Sequence, residues 1–151
     1  MIRKKLLIPS AGVLALLLAA CSTPPPPVVQ TPAVAITAQD LVGKWGLAAY
    51  RADSDLVRTT AEAKRACSNP YVVSPGSNGG VMMHLADQPA ASEVYLKPAS
   101  DGGVYIGPQG KPADAHDRQV LSYGNGVLVM RWVSADANTR YGTMVYVRCA
   151  A

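Results

Sequence analysis

Short runs of alternating apolar and polar residues, separated by turns rich in glycine and proline, make up residues 40–149. The clearest pair of runs, 119–123 and 127–133, is joined by Gly-Asn-Gly, which is a strong signal for a β-hairpin. Both faces of the second run are largely apolar, which predicts a central strand of its sheet. Six further runs are predicted as strands: 44–50, 71–73, 80–85, 93–97, 104–106 and 140–149. Evenly spaced short strands, about eight in all, predict a mainly β fold, a small antiparallel barrel or sandwich.

One segment between two of these strands has a different pattern. Residues 55–67 contain no glycine or proline, and four of them recur at helical spacing: Leu56, Thr60, Ala63 and Cys67. The segment therefore predicts one short helix, with a charged surface loop as the alternative. Residues 135–138, between the last two strands, are predicted to form a short loop.

The first twenty residues are interpreted as an export signal rather than as part of this fold. Three basic residues, Arg3, Lys4 and Lys5, precede an uncharged apolar run of 15 residues, 6–20, which is shorter than the roughly 20 needed to span a bilayer. Without those three, 11 of the 14 basic residues of the chain remain against 10 acidic ones. The remainder is nearly neutral, which excludes nucleic-acid binding through a strong positive charge.

The end of this signal, Leu18-Ala19-Ala20-Cys21, resembles the lipobox of bacterial lipoproteins. The resemblance implies cleavage before Cys21 and attachment of acyl chains there, and two or more chains, at about 0.8 kcal/mol per buried CH₂, anchor a protein stably. Ser22 follows the cysteine, and in Gram-negative lipoproteins a residue other than Asp there implies sorting to the outer membrane, with the protein facing the periplasm. The alternatives are an ordinary signal peptide with a coincidental cysteine and a single-pass membrane anchor.

The stretch that follows, residues 21–39, predicts a tether. It holds five prolines, four of them consecutive at 24–27, and no charged side chain. Consecutive prolines favour the extended polyproline II conformation. We therefore expect residues 21–39 to hold a periplasmic domain, residues 40–151, away from the membrane. A proline-rich partner-binding site is the alternative.

The expected pairing of the cysteines follows from this location. Of the three cysteines, Cys21 is assigned to lipid, which leaves Cys67 and Cys149. Because the periplasm is oxidising, a disulfide between these two is the simplest expectation. A loop of about 83 residues makes such a bond worth roughly 4.5 kcal/mol in the chain-entropy model. Two free thiols are the alternative. Neither cysteine lies in a C-x-x-C motif, which argues against a redox-catalytic role, and no His/Cys grouping has metal-site spacing.

The start of the first strand, Leu41-Val42-Gly43-Lys44-Trp45, resembles the Gly-x-Trp opening of lipocalin-like barrels. In that family the tryptophan closes one end of the barrel, and an arginine or lysine near the end of the last strand packs across it. Arg148 is so placed in this sequence. The resemblance implies that Trp45 and Arg148 form a barrel-closing pair, in which a guanidinium on an indole is worth about 0.5–2 kcal/mol. The alternative is that Trp45 is an ordinary core aromatic.

Two further resemblances concern the domain as a whole. Small periplasmic barrels that inhibit secreted metalloproteases also open with a Gly-x-Trp strand soon followed by a cysteine, which implies protease inhibition as an alternative function. Residues 79–87 and 141–149 resemble lipoproteins of alphaproteobacteria, and this resemblance carries no function.

Residue types that carry catalysis are few in this chain. The two histidines are His84, in a predicted strand, and His116, in a polar loop. Ser122, His84 and Asp87 can be drawn as a triad, but no nucleophile elbow or other local motif supports it. We therefore expect no catalytic residue, no cofactor and no metal.

The methionines allow two interpretations. They can line an adaptable apolar pocket or fill an ordinary core, and the absence of phenylalanine favours core filling: Met82, Met83, Met130 and Met144. Taken together, the sequence predicts a non-enzymatic lipoprotein, anchored in the outer membrane at its periplasmic face, with a binding or structural role. Its expected partners are the membrane, through the lipid anchor, and either a small apolar ligand or an envelope protein, and not a nucleic acid.

Overall fold

The computed structural model of the chain describes residues 34–150. Within this range eight antiparallel strands each pair with the next along the sequence, and the last pairs back with the first to close a barrel. The strands are β1 (Gly43–Tyr50), β2 (Tyr71–Pro75), β3 (Val81–His84), β4 (Ala91–Pro98), β5 (Val104–Gly107), β6 (Arg118–Gly124), β7 (Val127–Trp132) and β8 (Thr143–Arg148). The predicted mainly β fold is confirmed, and of its two forms the chain adopts the barrel.

The hairpin of β6 and β7 forms at Gly-Asn-Gly, as predicted. Asn125 and Gly126 adopt left-handed backbone angles, with φ of 50° and 73°, which suit the tight turn that Asn-Gly favours. The pairing shifts register just after Val120, which marks a β-bulge. Because of the bulge, the residues of β6 that face the interior change from Arg118 and Val120 to Tyr123, opposite the inward side chains of β7.

The predicted helix forms as α2 (Leu56–Arg65) and lies against the outside of β1 and β8. Its buried Ala63 packs with outward side chains of the wall, including Val129 and Val145. This helix therefore explains why both faces of β7 are apolar. Gly46 makes the close approach possible, because a Cβ at that position would lie 1.8 Å from the carbonyl oxygen of Ala63.

A further helix, α1 (Ala38–Leu41), precedes β1 and begins in the last two residues of the predicted tether. A capping box fixes its start: the Thr37 hydroxyl accepts the N–H of Asp40, and the Asp40 carboxylate accepts the N–H of Thr37 at 2.8 Å. Val34 and Ile36, ahead of the helix, already pack against the barrel interior. The packed part of the chain therefore includes residues before Asp40.

The prediction of a loop at residues 135–138 is wrong. The chain forms helix α3 (Ala135–Tyr141) there, so the last strand starts at Thr143 rather than at residue 140. The Ser134 hydroxyl caps the helix by accepting a backbone N–H of its first turn, and Gly142, with a φ of 75°, ends it. The single short helix of the prediction is therefore one of three α-helices in residues 34–150.

The interior of the barrel is filled from all eight strands. Its buried side chains are Leu41, Trp45, Val73, Val81, Met83, Val94, Val104, Ile106, Val120, Leu128, Met130 and Tyr146. Among residues 34–150, no helix has the length and apolar character that a membrane span requires. The predicted signal 1–20, the lipidated Cys21 and most of the tether 21–39 lie outside the described residues.

Candidate functional site

The end of the barrel that holds Trp45 is closed. Arg148, at the end of β8, lies over the Trp45 ring with its guanidinium carbon 4.0 Å from the ring centroid. Its nitrogens donate to the carbonyl oxygens of Val42, at 2.7 Å, and of Asp40. The indole N–H of Trp45 donates to the carbonyl of Leu41 at 2.8 Å. The two residues expected to pair are thus in contact, and their bonds hold α1 across this end.

The cysteine pair lies where α2 meets the last strand. The Sγ atoms of Cys67 and Cys149 are 2.05 Å apart, the distance of a disulfide, and the two residues are 82 positions apart in the sequence. Cys67 belongs to the short 3₁₀ turn Ala66–Ser68 after α2, and Cys149 follows β8. The bond therefore fixes the end of α2 to the barrel wall.

The opposite end of the barrel holds a cavity of about 370 Å³ that opens to solvent. This volume lies within the range of about 300–1,000 Å³ that is typical of small-molecule sites. Inward side chains of the strands, the loop from β3 to β4 and the end of α3 line it: Leu47, Tyr71, His84, Leu85, Ala86, Asp87, Gln88, Pro89, Arg118, Trp132, Tyr141, Met144 and Tyr146. The wall is therefore mainly aromatic and aliphatic.

Arg118, at the start of β6, is the buried charge of this cavity, with only 1% of its surface exposed. Its guanidinium carbon lies 4.8 Å from the ring centroid of Trp132, its cross-strand partner on β7. Its terminal nitrogens have only long contacts, 3.4 Å to the Tyr146 hydroxyl and 3.9 Å to the Met83 sulfur. Its Nε has no acceptor among the described residues. The cation is therefore buried against neutral groups.

Tyr146, on β8, lies beside Arg118 in the barrel interior. Its ring packs edge-on against Trp45 and Tyr71, with centroid distances of 6.3 and 6.0 Å. Burial raises the pKa of its hydroxyl to about 12, although the nearby Arg118 acts in the opposite direction. The hydroxyl therefore keeps its proton at neutral pH and remains available as a hydrogen-bond donor.

The carboxylate nearest to Arg118 in the sequence, Asp117, is bonded elsewhere. Lys97 Nζ lies 2.6 Å from Asp117 Oδ1 and also donates to the carbonyls of Pro108 and Lys111. Both members of the pair are buried, and Asp117 is fully so. Asp117 directly precedes β6, and neighbouring residues of an extended chain point to opposite sides, so its carboxylate is directed away from the Arg118 side chain. Arg118 thus has no carboxylate partner among residues 34–150.

A polar cluster lies at the mouth of the cavity. The Asp87 carboxylate, in the loop from β3 to β4, accepts hydrogen bonds from Arg140 and Tyr141 at the end of α3. These two bonds hold the pKa of Asp87 below its usual value. The contact joins two of the segments that surround the opening.

The structure brings two residues of the triad considered in the sequence to the cavity but not the third, and it places the second histidine elsewhere. His84 and Asp87 both line the cavity, whereas Ser122 is exposed on β6 and is not among the lining residues. His116 is exposed, with Nδ1 3.1 Å from Asp114 Oδ1. In the described part of the chain, no three of the His, Cys, Asp and Glu side chains are grouped as a metal would require.

Sequence reasoning missed Arg118 and the ion pair of Lys97 with Asp117. One signal for Arg118 is present in the sequence: it alternates with Val120 and therefore shares the face of an apolar residue. A charged residue in phase with an apolar face is a candidate for a functional group, because burial of an unpaired charge is costly.

No family model, no curated protein and no solved structure matches this chain.

Proposed function

We propose that this chain is a non-enzymatic binding protein that holds a small molecule with an apolar body in the open end of its barrel. The observation that carries the proposal is the cavity of about 370 Å³, whose wall includes Leu47, Trp132 and Met144. Binding in such a cavity removes apolar ligand surface from water, which is favourable by about 25 cal/mol per Å² of surface buried. The other end of the barrel supports this use, because in the described part of the chain helix α1 lies across it, held by Trp45 and Arg148.

We further propose that the barrel works at the periplasmic face of the outer membrane, anchored through lipid on Cys21. The lipobox-like end of the signal and the uncharged, proline-rich stretch after it support this location. The cysteine pair Cys67 and Cys149 fits an oxidising compartment. Mass spectrometry of the native protein tests the anchor: acyl chains on an amino-terminal Cys21 are expected, and an unmodified amino terminus contradicts it.

Binding is tested with a neutral apolar probe, N-phenyl-1-naphthylamine, whose fluorescence rises in an apolar environment. Residues 21–151 carrying Cys21→Ser are used, so that neither lipid nor the apolar signal 1–20 can bind the probe. We expect saturable binding, which is weakened about tenfold or more by Ala86→Trp because the added indole occupies the cavity.

Val72→Trp is the matched control. Val72 is 57% exposed on β2, next to the cavity-lining Tyr71, so its replacement adds the same indole outside the cavity. We expect this variant to bind the probe like the parent chain. Absence of saturable binding, or equal loss in both variants, would falsify the proposed function.

A further inference from the structure

Two nitrogen donors of the cavity are buried without acceptors. Arg118 Nε and Trp132 Nε1 both lack a hydrogen-bond partner among residues 34–150, and both residues line the cavity. They are cross-strand partners on β6 and β7, so the two donors lie near each other. Buried donors in folded proteins nearly always have a partner, so two such donors beside one cavity indicate that something else supplies the acceptors.

The charges around the cavity favour an anion as that partner. Arg118 is positive, 1% exposed, and without a carboxylate within ion-pair distance among the described residues. Among residues 34–150, the one carboxylate that lines the cavity is Asp87, which is at the mouth and already accepts from Arg140 and Tyr141. A ligand that brings a negative charge therefore compensates Arg118 without competing with a protein group.

The donor set narrows the anion further. A guanidinium presents donors in a planar fork that matches two oxygens of a carboxylate or of a phosphate. The single buried charge of Arg118 is balanced by the one charge of a carboxylate, whereas a phosphate monoester carries about 1.5–2 negative charges at pH 7. The hydroxyl of Tyr146 accepts from the Arg118 guanidinium at 3.4 Å and donates its proton only to the Met144 sulfur, at 3.8 Å. Rotation of this hydroxyl towards a stronger acceptor adds a third kind of donor at the same point. The remaining wall, including Leu47 and Met144, is apolar and suits an uncharged body attached to that carboxylate.

We propose that Arg118 binds the carboxylate of the cavity's ligand, so that the ligand is an amphiphile with an apolar body and one carboxylate head. This inference rests on the proposed function and adds the chemical class of the ligand. Arg118 acts as the charged receptor, and Trp132 and Tyr146 supply further donors to the same head group.

The test compares two probes of the same chain length, decanoate and decan-1-ol, by calorimetry at neutral pH on residues 21–151 carrying Cys21→Ser, which lack the apolar signal. A hydrogen bond to a charged group is worth enough to change affinity by about ten- to a hundredfold, so decanoate is expected to bind that much more tightly than decan-1-ol. Arg118→Met keeps the length and bulk of the side chain and removes the charge. In this variant the two probes are expected to bind with affinities within about threefold of each other.

The outcomes separate the two proposals. If decan-1-ol binds as tightly as decanoate, the cavity is a ligand site but the carboxylate inference is overturned. If decanoate is preferred equally by the parent chain and by Arg118→Met, Arg118 is not the receptor and the inference is overturned. If neither these probes nor the neutral fluorescent probe bind, the proposed function falls together with the inference. The comparison of the two probes on the parent chain needs no variant, so it remains decisive if Arg118→Met does not fold.

Discussion

The buried ion pair of Lys97 and Asp117 predicts that Gly107→Ala severely destabilises the barrel. A Cβ at position 107 would lie 1.8 Å from Asp117 Oδ1, the oxygen that Lys97 Nζ approaches to 2.6 Å. The carboxylate has little room to move, because Asp117 is fully buried and its other oxygen accepts the N–H of Asp114 at 3.0 Å. The added methyl group therefore displaces the carboxylate from its partner.

The expected magnitude follows from the burial of both charges. Separating a buried pair leaves two poorly compensated ions, which costs about 3–5 kcal/mol. Small domains are stable by about 5–15 kcal/mol, so Gly107→Ala is expected to remove a large part of the free energy of unfolding. Urea denaturation followed by tryptophan fluorescence measures it, since Trp45 and Trp132 are buried and become exposed on unfolding.

Gly124→Ala is the matched control. A Cβ at position 124, at the end of β6, meets no atom within 4 Å, so the same substitution there is expected to change the free energy of unfolding by less than about 1 kcal/mol. A double-mutant cycle isolates the cause. Lys97→Met breaks the same pair from the other side, so adding Gly107→Ala to it is expected to cost clearly less than Gly107→Ala costs alone. The reasoning is refuted if Gly107→Ala matches Gly124→Ala, or if the two destabilisations are additive.

Three further substitutions test the packing of the barrel. Gly46→Ala places a Cβ 1.8 Å from the backbone carbonyl oxygen of Ala63, so it is expected to lower the free energy of unfolding by about 3 kcal/mol or more. Urea denaturation measures this loss, with Gly124→Ala as control, and a smaller loss means that α2 can shift outward at low cost. Cys149→Ser removes a link across 82 positions and is expected to lower the free energy of unfolding by about 4 kcal/mol under oxidising conditions. Under reducing conditions the parent chain also lacks the bond, so the substitution is expected to change little, and equal losses in both conditions contradict a disulfide. The pKa of Tyr146 is raised from 10.0 in the unfolded chain to about 12, so its contribution to stability is present below pH 10 and is lost as the pH rises towards 12. At pH 12, relative to Tyr146→Phe, the parent chain is expected to lose about 2 kcal/mol, and parallel stability profiles of the two chains contradict this.

The parts of the fold that the sequence predicts correctly depend on local signals. The β6–β7 hairpin is one, because Asn125 and Gly126 favour left-handed backbone angles whatever surrounds them. Helix α2 is another, because four residues from Leu56 to Cys67 recur at helical spacing without an intervening glycine or proline. Helix α3 was missed since its seven residues give too few repeats, and its Ser134 cap is also common in loops.

The site is less predictable because it depends on contacts between distant residues. Lys97 is the last residue of a predicted strand, and only its approach to Asp117, twenty positions later, explains its burial. Alternation shows that Arg118 shares a face with Val120, yet only barrel closure decides that this face is the interior. The depth of the cavity likewise follows from the relative lengths of strands that meet around the barrel, which no single segment encodes.

The positions of the chain's entry and of the cavity together constrain how a tethered barrel exchanges its ligand. Helix α1 lies across the closed end, held by Arg148 and Trp45, so the chain enters the barrel there. The cavity opens at the opposite end, and the eight residues of β1, tilted as barrel strands are, separate its mouth from α1 by roughly 20 Å. Its floor reaches Tyr146, whose ring centroid lies 6.3 Å from that of Trp45. On the proposed lipid anchoring, the tether therefore joins the end without an opening. A ligand then enters from the side away from the tether, which favours exchange with the periplasm or a partner protein over direct extraction from the anchoring membrane.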